Sequence, residues 1–480
     1  MTTDPGLRRL ALGTLLPAFP GTTPPDWAVR LLADGLAGYT LFGFNIDSPE
    51  QLATLTGTLR SARPELLIAI DEEGGDVTRL AHRTGSPYPG NAALGVVDDP
   101  ALTRSVYRAI GADLAAAGVN LNLAPTVDVN TATDNPIIGT RSFSADPAVV
   151  AAHAAAAVTG LQDAGIAGCA KHFPGHGATT TDSHLTLPVL DAPLSTLRGR
   201  DLPPFAAAIE AGVRAIMTAH IRVPELTGAA PATLSPAAID LLRREYGFTG
   251  AVVTDALEMA GAATAAGGIP AAAVAALAAG ADLLCLGADL DAPLVEQVVA
   301  AIVAAVGSGE LPRTRLEQAA SRAAELAGWT QRPASPSPAD PDLGYQIAKQ
   351  AVRVEGSLAG LADPLIVQLE SSSTIAEGQV PWGLAPHLPG VVRCHAAETS
   401  ADQLRGRAGD RPIVVVARHL HRSTVARSLV EKLATDHPTV VAEMGWPAGW
   451  RPAGARAFIT THGASHANGA ALAAVLRSPA

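Results

Sequence analysis

Short apolar runs recur along the first two thirds of the chain, separated by polar turns and by stretches with helical spacing. The runs fall at 10–16, 38–44, 66–70, 119–123, 166–170, 214–218, 250–254 and 281–286. Their hydrophobicity is nearly continuous rather than alternating, which suits strands buried on both faces of a parallel sheet. Helical stretches lie between them, the clearest at 99–117, 148–164, 236–246 and 270–280. Eight strands alternating with helices over about 330 residues predict an α/β fold, a (β/α)8 TIM-like barrel. A doubly wound open sheet shares that alternation, and counting alone leaves it open.

The pattern changes after Trp329, where QRPASPSPADPD reads as an interdomain linker rich in Pro, Ser and Asp. The expected organisation is a catalytic barrel over 1–331, a linker over 332–344 and a smaller α/β sandwich domain over 345–480. Within the last part, apolar runs at 364–368, 413–416, 439–443 and 456–460 are the candidate strands. A chain of 480 residues exceeds what one core ordinarily supports, so two domains are the natural expectation.

Composition narrows the function classes. Hydrophobic residues make up 48% of the chain and aromatics 4%, so Ala, Val and Leu must fill the cores. The net charge of −11 disfavours a nucleic-acid partner or an anionic membrane surface and is neutral toward a sugar. Cys169, Cys285 and Cys394 lie too far apart for a disulfide framework or zinc ribbon. Arg8 and Arg9 precede the run at 10–16 in the manner of a signal peptide. Pro17 and Pro20 interrupt that reading, and a first β-strand fits the same residues. Cytoplasmic localisation is the expectation, with no membrane partner.

Polar residues gather at the C-terminal ends of the predicted strands, where barrel enzymes assemble their chemistry. Asp71 follows 66–70, Lys171 and His172 follow 166–170, His220 lies just past 214–218, and Asp255 follows 250–254. The densest segment runs from Lys171 through His172, Pro174, Gly175 and His176, then on to Asp182 and His184. Pro and Gly after a strand specify an irregular loop. Imidazole on such a loop suits general acid/base work, and a carboxylate beside it favours the protonated ring. Asp182 can serve His184 in this way if the loop folds back. A metal site from His172, His176, Asp182 and His184 is a competing reading, although the spacing matches no zinc motif. Asp255 suits either a nucleophile or a helix N-cap. Asp71 and Arg79 could grip vicinal hydroxyls, and Gly74-Gly75 lacks the Lys that a phosphate loop needs.

Taken together, KHFPGHG-x4-DSH, DEEGG-x3-R, IIGTRSF, PATLS and VVTDALEM resemble bacterial β-N-acetylhexosaminidases of glycoside hydrolase family 3. The resemblance runs in order from about residue 10 to about residue 330. It implies a retaining, exo-acting hydrolase that removes a terminal β-N-acetylglucosamine. Asp255 matches the nucleophile, and His184 paired with Asp182 matches the acid/base. Asp71, Arg79, Arg141, Lys171 and His172 match positions that bind the sugar hydroxyls, while His176 belongs to the loop motif as support. No cofactor or metal is implied. The implied partner is a small carbohydrate, with inorganic phosphate as an alternative acceptor to water, because a neutral imidazole base does not repel an anion. Two departures bear on sugar and aglycone preference. Ala256 stands where most members carry a second acidic residue, and Glu72 and Asp76 stand where Gln and Arg are more usual. The rival readings are a phosphorylase using the same residues, a β-glucosidase of the same fold, a metal-dependent barrel hydrolase and a noncatalytic sugar-binding protein.

Overall fold

The computed structural model describes residues 4–288, 290–332 and 340–477. The chain folds into two compact units, each discontinuous in sequence. The first comprises Met1–Glu72, Thr103–Asn135 and Ala145–Ala339; the second comprises Glu73–Leu102, Pro136–Ser144 and Asp340–Ala480. Residues 333–339 of the expected linker at 332–344 lie outside the described residues.

Among the described residues the first unit contains eight strands: β1 (Leu15–Leu16), β2 (Gly38–Leu41), β3 (Leu67–Ile70), β4 (Leu121–Asn122), β5 (Ala167–Phe173), β6 (Ala215–Thr218), β7 (Ala251–Thr254) and β8 (Leu284–Cys285). Strands β2 to β7 form one parallel sheet in sequence order, and β1 pairs in parallel with β8. Backbone hydrogen bonds link the two sheets at both edges. Thr40 N–H donates to Pro17 O at 2.9 Å, and Leu283 N–H donates to Val252 O at 3.1 Å. The strands therefore close into a (β/α)8 barrel rather than an open doubly wound sheet.

Side chains two residues apart on each strand share a face, so each strand contributes alternate residues to the barrel interior. Leu67 with Ala69, Leu121 with Leu123, Cys169, Met217 and Val253 meet in one buried cluster. The helix Arg313–Trp329 adds Ala323 and Leu326 to that cluster. Small and branched residues fit a closed barrel of this width, consistent with the scarcity of aromatics.

Two expectations need correction. The run at 10–16 begins in the last turn of a helix, Pro5–Leu12, and only Leu15–Leu16 is strand. Asp4 caps that helix by accepting from Gly6 N–H and Leu7 N–H, and Pro5 opens its first turn, so the local start signal prevails over the apolar run. Lys171 and His172 do not follow their strand but lie within it, since β5 continues to Phe173.

The second unit is a six-stranded sheet in the order β11-β10-β12-β13-β14-β9. Its strands are β9 (Arg353–Gly356), β10 (Leu365–Leu369), β11 (Val392–Cys394), β12 (Ile413–Ala417), β13 (Thr439–Glu443) and β14 (Ala457–Thr460). All neighbours are parallel except β9, which runs antiparallel along β14. Alternate residues feed two cores on opposite faces: Val367, Val415 and Val441 on one, Ile366, Val414 and Val440 on the other. This is the α/β sandwich, to which the excursions Glu73–Leu102 and Pro136–Ser144 are also joined. Asp76 shows how: its Oδ1 accepts Ala464 N–H at 2.8 Å and its Oδ2 accepts the Thr140 hydroxyl at 2.7 Å.

Candidate active site

Because the barrel strands are parallel, their C-terminal ends share one rim, and polar residues placed just past those ends become neighbours. Asp71 follows β3, Asp128 lies beyond β4, Lys171 and His172 end β5, His220 follows β6 and Asp255 follows β7.

Lys171 is almost fully buried, and its Nζ donates to Asp71 Oδ1 at 2.6 Å. The Lys171–His172 and Phe173–Pro174 peptide bonds are cis. His172 Nδ1 donates to Asp128 Oδ2 at 2.7 Å. Asp128 also accepts His176 N–H through Oδ1 at 2.6 Å. Sequence reasoning missed Asp128, although its position past a strand is the same signal that marked Asp71 and Asp255.

The loop after β5 is organised by His176. Thr179 Oγ1 donates to His176 O at 2.9 Å, so its oxygen accepts His176 Nδ1–H at 2.6 Å. Ser183 Oγ then donates to His176 Nε2 at 3.1 Å. Burial lowers the His176 imidazole to about 4, so the ring is neutral and supports the loop. Ser183 O accepts Gly261 N–H at 3.3 Å, which ties the loop to the segment beyond β7.

At the end of that loop His184 turns back onto Asp182. Its Nδ1 donates to Asp182 Oδ1 at 2.7 Å, and its backbone N–H donates to the same oxygen at 2.9 Å. Nε2 is then the ring nitrogen on the far side, and the side chain is 20% exposed. Burial would raise the Asp182 carboxyl, but the His184 hydrogen bonds and charge outweigh it and lower it.

Asp255 N–H donates to Thr218 O at 3.2 Å, and Asp255 Oδ1 accepts Ala256 N–H at 2.8 Å. Burial alone would push this carboxyl up; His220, His172 and His184, with the Ala256 N–H, bring it down to about 2. An ionised carboxylate at the barrel rim, surrounded by imidazoles, is equipped for nucleophilic attack. The four groups of the metal reading do not converge: His172 bonds Asp128, His176 bonds Thr179 and Ser183, and Asp182 and His184 bond each other. Among the described residues no group of three or more His, Cys, Asp and Glu is arranged to hold a metal ion.

The structure thus gathers Asp71, Lys171, His172, Asp182, His184 and Asp255 within the first unit. Arg79 and Arg141 belong to the second. Arg141 makes a two-pronged ion pair with Glu73, Nε to Oε2 at 2.9 Å and Nη2 to Oε1 at 2.7 Å. Arg79 Nη2 donates to Ala376 O at 2.8 Å and Nη1 to Glu377 O at 3.3 Å.

Comparison with known proteins bears on this arrangement. The glycosyl hydrolase family 3 N-terminal domain matches residues 24–326. A β-hexosaminidase of Methylococcus capsulatus is 41% identical over 250 residues, which is 52% of this chain and 74% of that protein. Beta-hexosaminidase A of Pseudoalteromonas piscicida is 39% identical over 262 residues, and the match spans only 44% of that longer relative. Among solved structures, a family 3 β-N-acetylglucosaminidase from a Paenibacillus species aligns with a TM-score of 0.86 at 30% identity, covering 98% of this chain and 96% of that one.

Proposed function

The chain belongs to glycoside hydrolase family 3, and from that premise we propose that it removes terminal, non-reducing β-N-acetylglucosamine by a retaining double displacement. In the first step an Asp255 carboxylate oxygen bonds to the anomeric carbon as the glycosidic C–O bond breaks. His184, as imidazolium, delivers its Nε2 proton to the departing oxygen. In the second step neutral His184 takes a proton from water, which attacks the anomeric carbon and releases Asp255. Asp182 orients the imidazole through Nδ1 and favours its charged form.

The observation that carries this reading is the Asp182–His184 contact on the rim that also holds an ionised Asp255. Asp71, Lys171 and His172 are assigned to the sugar hydroxyls: a carboxylate, an ammonium and an imidazole converge as a polyol requires. Arg79 and Arg141 carry the same assignment from the motif resemblance alone. The N-acetyl preference rests on the names of the matched relatives.

A chromogenic N-acetyl-β-glucosaminide, compared with the matching β-glucoside with and without phosphate, tests the proposal. Preferential cleavage of the N-acetyl sugar to free sugar, lost in Asp255→Asn and His184→Ala, is the expected result. A sugar 1-phosphate product would replace water by phosphate as acceptor. Preference for the glucoside, or full activity in His184→Ala, would overturn the acid/base assignment.

A further inference from the structure

His220 stands two residues past β6 and is fully buried, with both ring nitrogens engaged. Its Nε2 lies 2.9 Å from Ala256 O. A carbonyl oxygen only accepts, so Nε2 carries the proton and donates it. Its Nδ1 lies 2.8 Å from Thr233 Oγ1, whose residue is itself fully buried, and Thr218 Oγ1 donates to that same hydroxyl at 3.0 Å. Thr233 Oγ1 also donates to Ala219 O at 3.0 Å, which anchors the hydroxyl that His220 Nδ1 meets. The ring is therefore held at both nitrogens, by Ala256 O on one side and by an anchored Thr233 hydroxyl on the other. Gly261 packs closely on the same residue: a Cβ added there would meet His220 Cβ at 2.9 Å and its carbonyl oxygen at 3.1 Å.

Ala256, the residue His220 holds, follows the nucleophile and has no polar side chain of its own. Its N–H donates to Asp255 Oδ1 at 2.8 Å. The next residue, Leu257, donates its N–H to Cys285 O at 2.9 Å, and Asp255 N–H is held by Thr218 O. His220 is thus the side-chain member of a set of contacts that fixes the backbone on both sides of Asp255.

We infer that His220 is a positioning residue for the nucleophile: by holding the Ala256 carbonyl it keeps the Ala256 N–H on Asp255 Oδ1 and leaves Oδ2 as the attacking oxygen. The inference rests on the reading of Asp255 as nucleophile. His220 exchanges no proton in either step. The bond that forms is Asp255 Oδ2 to the anomeric carbon, the bond that breaks is the glycosidic one, and the leaving oxygen takes its proton from His184. A misaligned carboxylate slows the attack without weakening sugar binding, because His220 is not a sugar ligand. Small errors in reacting geometry commonly cost about 10²-fold in rate.

The test uses the full chain with His220→Ala and His220→Gln, where the Gln amide can restore a donor toward Ala256 O. A 5-fluoro-N-acetylglucosaminyl fluoride serves as the trapping probe, its accumulation followed by intact mass and its site located by peptide mapping. Calorimetry measures N-acetylglucosamine affinity in parallel. The amplitude of trapping reports the folded fraction, so a folding defect changes amplitude rather than rate. The expected result is trapping slowed about 100-fold in His220→Ala, recovered at least about tenfold in His220→Gln, with sugar affinity within about threefold of the parent. Trapping of His220→Ala at the parent rate would overturn the inference. So would a loss of affinity that matches the loss of rate and is not rescued by Gln. An adduct in the parent at a residue other than Asp255 would instead overturn the nucleophile reading, and the inference with it.

Discussion

His172 donates its Nδ1–H to Asp128 across 2.7 Å, and the same buried carboxylate accepts the backbone N–H of His176 at 2.6 Å. One carboxylate therefore orients a proposed sugar ligand and anchors the start of the loop that ends in His184. Burial would raise this carboxyl, but His172 and His176 outweigh it and hold it below the usual carboxylate range. Asp128→Ala removes the partner of a buried histidine and strands a buried amide. The expected cost is about 3–5 kcal/mol in urea unfolding, the range for breaking a buried pair. A change below about 1 kcal/mol would show that the contact is dispensable.

Asp182 acts on the reaction through His184, so its effect should depend on how much proton donation the leaving group needs. Asp182→Ala should lower the glycosylation rate about 10²-fold or more on an alkyl N-acetylglucosaminide, and far less on a nitrophenyl one. Single-turnover measurements on both substrates make the comparison. Equal losses would place Asp182 in loop structure rather than in acid catalysis.

Lys171 is 2% exposed and bonds Asp71. Lys171→Met keeps most of the side-chain volume but removes the ammonium. N-acetylglucosamine should bind about tenfold or more weakly, the scale of one charged hydrogen bond, as read by calorimetry. Unchanged affinity would remove Lys171 from the sugar site.

His176 and His462 are held down to about 4 by burial. The unfolded chain protonates both near 6.5, so it binds more protons than the folded chain between about 6.5 and about 4. Their contribution is complete above that window and is lost as pH falls through it. Asp201 and Glu443, raised by burial to about 6 and about 7, act in the opposite sense. The share of His176 must therefore be read by difference. The urea midpoint of the parent should fall relative to that of His176→Gln as pH drops from 7 to 4.5. Parallel curves for the two proteins would contradict the depressed imidazole.

Much of the barrel was legible because continuous apolar runs of strand length, with helices between them, leave few folds open. The runs at 66–70, 214–218 and 250–254 each contain a strand of four residues. The run at 10–16 misled because apolar content alone does not separate a helix end from a strand; the Asp4-Pro5 start signal did. Strands β9 and β11 escaped notice because both lie at sheet edges and carry short, mixed stretches without an apolar run. Asp182 and His184 were readable as a pair because a two-residue separation needs only a tight turn.

By itself the sequence determined which chemical groups stand at the strand ends, since strand period and direction are local properties. It also determined the family motifs and the local dyad. Which distant groups meet was decided by the tertiary structure. Asp128 finds His172 across 44 residues, and His220 finds Ala256 across 36, because β4 and β5, and β6 and β7, lie side by side in a closed ring. The same holds for Asp76, which bonds Ala464 across 388 residues and joins an early excursion to the sandwich unit. No local period encodes such pairings: they depend on sheet order and on the paths of the loops, which only the packed chain sets.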